Sequence, residues 1–134
     1  MSAPNDTNLV RVWARDAGEF ISTTSFSVKN NFEVVVELEA GSAIFGGGTQ
    51  YVTGIVVRDL TKNETIFKST TPPSIPGQMG DNFWPSAKHP ISYIIHSNYL
   101  TNRQDHFFSI LAFLRARVSD PDVSFAKSEL LFLY

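Results

Sequence analysis

The side chains able to do acid–base or ligand chemistry in this sequence are few and far apart. Histidines stand at positions 89, 96 and 106, and none belongs to a close-spaced ligand pattern such as HExxH. His89 precedes Pro90 in a proline-rich connection. His96 shares parity with Ile94 and Asn98 in an extended run and reads as a satisfied, half-buried histidine. His106 follows Asp105, and the triplet "QDH" suits an Asp-oriented general base, yet nothing nearby marks a nucleophile and no GxSxG elbow occurs. Asp16, Asp59, Asp81, Asp105, Asp120 and Asp122 fall at expected strand ends, where Asp closes turns by bonding its own backbone. "SDPDVS" is the one calcium-like cluster, since Asp120 and Asp122 supply hard oxygen ligands. Its spacing matches no EF-hand, and a plain turn is the expectation. The absence of cysteine excludes a thiolate nucleophile, a disulfide scaffold and a Cys-based metal site. Gly46 to Gly48 are followed by no Lys-Ser/Thr and no helix, so they read as a bulge or bent corner rather than a phosphate loop. No catalytic residue, metal or cofactor is expected.

The better candidates are aromatic and apolar. "TTPPSIPGQMGDNFWPSAKHP", Thr70 to Pro90, holds five of the seven prolines. Structureless connections of about twenty residues are uncommon in compact domains and usually act as lids or binding loops. Prolines lower the entropy lost on fixing one conformation, and Phe83-Trp84 before Pro85 offers a rigid anchor of the kind that dominates binding hot spots. Ile75, Met79, Phe83, Trp84 and His89 are therefore the expected contact residues. The plainer alternative is that this loop caps an open end of the core.

The elements that must hold such a loop are strands. In "NFEVVVELEA", Phe32, Val34, Val36 and Leu38 point one way, and Glu33, Val35, Glu37 and Glu39 the other, the period of a half-buried antiparallel strand. "LVRVWARD" (9–16) reads similarly, with Arg11 and Arg15 sharing a face with Leu9 and Trp13. "YVTGIVVRDL" and "ETIFKS" flank the short polar "TKN" and predict a hairpin over 51–69. "ISYIIHSNYL" (91–100) is a further extended run. In "HFFSILAFLRARVSD", Phe108, Ile110, Ala112, Leu114, Ala116 and Val118 form one apolar face with Arg115 and Arg117 opposite; a helix is the competing reading there. "VSFAKSELLFLY" closes the chain. Roughly seven or eight short strands predict a single antiparallel β-sandwich of immunoglobulin-like character over residues 1–134, with a small closed barrel as the alternative.

Composition narrows the function class. Eleven basic against 13 acidic residues argue against neutralising many nucleic-acid phosphates. No signal segment or apolar run of membrane-spanning length is visible, so a cytoplasmic setting is expected. From about Asn30 onward the order of features resembles the carbohydrate-binding sandwich at the C-terminus of O-antigen ABC transporters. A "VVVELEA" strand precedes "GIVVRDLTKNETIFKSTT", then come a loop, "ISYIIHSNYL" and a final strand pair. That resemblance implies a sandwich fold; in such domains the sandwich binds the end of a glycan, and no sugar-binding residue carries over.

The sequence is thus read as a non-catalytic binding or assembly module that contacts a protein partner through the 70–90 loop. One alternative is a glycan-binding sandwich with Trp84 stacked on a sugar. Another is a small-barrel cyclase or isomerase with a pocket of Tyr93, His96 and Tyr99. The apolar segment "ELLFLY" reads as an open hydrophobic edge, which favours self-association as a dimer. Size-exclusion chromatography with light scattering should then show a dimer or larger species, and a strict monomer at high concentration would remove that part.

Overall fold

The computed structural model describes residues 7–40, 51–71, 88–116 and 122–134. They form two facing sheets. The first has the order β1 (Thr7–Asp16), β3 (Phe32–Ala40), β6 (Lys88–Ile95), and all its pairings are antiparallel. The second runs β2 (Ser25–Phe26), β9 (Leu131–Leu133), β7 (Phe107–Ala116), β4 (Tyr51–Asp59), β5 (Glu64–Thr71), and β8 (Asp122–Lys127) also pairs with β7. The chain changes sheet between β1 and β2, and β2 lies parallel to β9. This is the expected immunoglobulin-like sandwich, and the described residues close no barrel. No described helix is long and apolar enough to cross a membrane.

Alternation decides which residues fill the space between the sheets. In β3, Phe32, Val34, Val36 and Leu38 are buried, and in β7 the same holds for Phe108, Ile110, Ala112 and Leu114. Residues 107–116 are a strand, not a helix, because only a period of two brings those four side chains to one face. Phe26, Phe32 and Phe108 meet at the centre, with ring centroids 4.7 Å apart for Phe26–Phe32 and 5.4 Å for Phe32–Phe108. They tie β2 and β7 of one sheet to β3 of the other.

Four expectations need correction. A register shift between Leu9 and Arg11 makes Val10 a bulge, so Leu9 points into the core while Arg11, Trp13 and Arg15 occupy the outer face. An extra residue reverses parity, and periodicity alone does not show it. Residues 91–100 are not one strand: β6 ends at Ile95, and Ser97–Leu100 form a 3-10 turn that buries Leu100. The connection is also shorter than Thr70–Pro90, because β5 runs to Thr71 and β6 starts at Lys88. Pro90 sits in β6, which has one strand neighbour in its sheet, a position where a missing N–H is tolerated.

Fourth, the "ELLFLY" segment is no open edge. β9 lies between β2 and β7 with Leu131 and Leu133 buried, so the reason given for self-association through it falls away. The chain over 122–134 runs back along β7 as two strands with a break. At the break Ser128 Oγ accepts from the Ile110 amide at 2.9 Å, and the Ser128 amide donates to the Ile110 carbonyl at 2.8 Å. The Gly46–Gly48 corner lies outside the described residues.

Candidate functional site

Of the expected contact residues, Ile75, Met79, Phe83 and Trp84 lie outside the described residues, as does Asp120. His89 is in β6 opposite Leu38, in a strand rather than a loop. Asp122 opens β8. No group of three or more His, Asp or Glu side chains among the described residues is placed to hold a metal ion.

The Tyr93, His96, Tyr99 pocket is not formed. Tyr93 is buried between the sheets and donates from its hydroxyl to the Thr53 carbonyl at 3.3 Å. His96 is exposed at the start of the 3-10 turn rather than half-buried in a strand. Tyr99 packs edge-on against Phe67, with centroids 5.3 Å apart. The three side chains do not converge.

His106 does have a carboxylate partner, but it is Asp59 and not Asp105. Its Nδ1 lies 2.7 Å from Asp59 Oδ2, and the same oxygen accepts from Arg103 at 2.7 Å. The other oxygen accepts from the Lys62 amide at 3.0 Å, closing the β4–β5 turn, and Arg103 also reaches Glu64 at 2.6 Å. Asp105 instead adopts φ 67, and its amide donates to the Leu133 carbonyl. Burial pushes the fully enclosed Asp59 carboxyl up. The Lys62 amide, His106 and Arg103 together outweigh it and hold the carboxyl below the usual range. With every partner inside one knot of side chains, this cluster is an anchor for the hairpin and for residues 103–106.

The remaining candidates are the outer sheet faces. On the first sheet the Arg11 and Arg15 guanidinium groups lie 5.3 and 5.5 Å from the Trp13 ring centroid. Arg11 pairs with Glu37, and Arg15 with Glu33 at 3.2 Å. Trp13 Nε1 is buried without a hydrogen-bond partner. Charges on this face largely neutralise one another.

The second sheet presents a different surface, which its register lays out in rows. Thr70, Gly54, Phe113 and Phe125 form one row across β5, β4, β7 and β8. Lys68, Val56, Leu111 and Lys127 form the next, and Val52, Arg115 and Val123 flank the first row on its other side. Phe125 is 66% exposed, and Leu111 and Val123 are each 45% exposed. Phe113 lies across Gly54: a Cβ there would meet its Cε1 at 2.6 Å and the Ser69 carbonyl oxygen at 2.7 Å. The missing side chain at Gly54 leaves the space that the Phe113 ring occupies. An open groove of about 370 Å³ borders this ring, lined by Ile55, Val56, Lys68, Ser69, Thr70 and Phe113. The sequence reading missed this arrangement; its signal was the lone glycine inside the β-branched run "TGIVV".

No protein family and no curated protein matches this sequence. Among solved structures, the chain is similar to the C-terminal domain of wzt, with a TM-score of 0.60 and 8% identity over 99% of this chain and 76% of that one. A β-glucosidase from Listeria innocua also matches, at TM-score 0.36 and 9% identity over 16% of its length. The first likeness shows a shared fold alone, and the second carries no argument.

Two outcomes follow from this geometry. Gly54→Ala should destabilise by about 1–3 kcal/mol, as overpacking does. Adding Phe113→Ala should restore only part of that loss in a denaturant titration, because the Ser69 carbonyl remains in the way. The depressed Asp59 carboxyl gives stability that is complete above its ordinary unfolded value near 4 and drains as pH falls through its lower folded value. The melting temperature of the native chain should therefore fall below about pH 4, and in Asp59→Asn that acid-dependent part should shrink.

Proposed function

We propose that this chain is a non-catalytic sandwich module that binds the end of a glycan on the outer face of its second sheet. The observation that carries this reading is the Phe113 ring packed against Gly54 beside an open groove. A sugar face stacks on such a ring, and the Lys68 and Thr70 side chains at the groove offer polar partners for its hydroxyls. The resemblance in sequence order to glycan-binding transporter domains supports it, as does the shared fold. In this proposal Ile75, Met79, Phe83 and Trp84 are further contact residues, with Trp84 as a stacking ring, in a cytoplasmic protein.

One observation favours a second reading. The exposed strip of Leu111, Val123 and Phe125 is broader than a single ring and suits docking of a protein partner.

A glycan array read with the native chain, Phe113→Ala and Phe125→Ala separates the two. Phe113→Ala should weaken glycan binding about tenfold, within the range of one aromatic contact, while circular dichroism shows a retained fold. The absence of any glycan binder, or binding indifferent to Phe113→Ala, would reject the glycan reading in favour of protein docking.

A further inference from the structure

Among the described residues, the charged side chains that the register sets outward on the second sheet are all basic. Its register places Arg58 in the row of Thr65 and Ser109, Lys68 and Lys127 at the two ends of the Val56–Leu111 row, and Arg115 beside Val52 and Val123. No Asp or Glu occurs at the described outward positions of β4, β5, β7, β8 and β9. Of the nearby described acids, Asp59 is buried, Glu64 is held by Arg103 at the hairpin end, Glu129 falls in the break between β8 and β9, and Asp122 opens β8 in register with Ala116. Arg58 donates to the neutral side chains of Thr65 and Asn63. Lys68 and Lys127 are exposed.

This is segregation, not composition. The whole chain carries 13 acidic against 11 basic residues, and the first sheet pairs its outer arginines with Glu33 and Glu37. A two-fold pairing of this face with its own copy would set cation against cation.

We infer that the glycan taken by this face is anionic, carrying carboxylate or phosphate substituents. The inference rests on the glycan-binding reading above and adds the charge of the ligand. Lys68 lines the same groove as Phe113, so a sugar stacked on that ring brings its substituents toward a mobile ammonium group. Lys127 stands at the far end of the next row, beside Leu111.

The test uses the full chain against three sets of oligosaccharides: neutral, uronic-acid-bearing and phosphate-bearing. Each is titrated from roughly 0.01 M to roughly 1 M salt, which shortens the screening length from about 30 to about 3 Å. Acidic glycans should bind in preference to neutral ones and weaken with salt, and the double change Lys68→Gln and Lys127→Gln should weaken them about tenfold. The carboxylate and phosphate arms tell the two substituents apart. Phe113-dependent binding of neutral glycans that ignores salt and both lysines overturns the inference and leaves the glycan reading standing. Loss of all Phe113-dependent glycan binding overturns both. Equal binding of polyglutamate and acidic glycans also overturns the inference, since the face would then be a general polyanion surface.

Discussion

The extended course of residues 107–116 is the constraint on which the rest of this molecule depends. As a strand, β7 offers two edges and two faces, and all four are used. One edge pairs with β4, and the other is shared by β9 near Phe107 and β8 beyond Leu111. One face sends Phe108, Ile110, Ala112 and Leu114 into the core, while the other carries Leu111 and Phe113 into the candidate binding surface. Wound as a helix, the same residues would satisfy their own backbone groups and leave β4, β8 and β9 without a ladder.

Much of this was legible wherever alternation was strong. Phe32 to Leu38 and Phe108 to Leu114 declare their faces without help from anything distant, and "TKN" marks its hairpin by turn chemistry. What the sequence hid was non-local or small. A one-residue bulge at Val10 turned Leu9 inward. Ser25–Phe26 is too short to show a period. Asp59 reads as an ordinary turn aspartate, which it is, since it caps the Lys62 amide. Its other role, gathering Arg103 and His106, depends on folding that brings residues from opposite ends of two strands together. Adjacency in "QDH" suggested the wrong carboxylate because a neighbour in sequence need not face the same way.

The candidate surface was harder still to foresee. It comes from register: Gly54 must stand opposite Phe113, and Phe113 opposite Phe125, before a ring has a bare strand to lie on. No single segment contains that information. The one-sided charge of the same face has a similar origin. Lys68 and Lys127 are ordinary on their own strands, and only pairing sets them at the two ends of one row, while Glu33 and Glu37 pair with arginines on the opposite sheet.

The parallel pairing of β2 with β9 bears on the order of assembly. Phe26 reaches the centre of the core from a two-residue strand whose partner stands at the far end of the described chain. A contact between such distant segments closes a long loop and forms slowly compared with the hairpins around it. Until β9 slots between β2 and β7, the edge of β7 and the Phe26 ring stay open to neighbours. The interval before that closure is when a nascent or refolding chain is most exposed to aggregation.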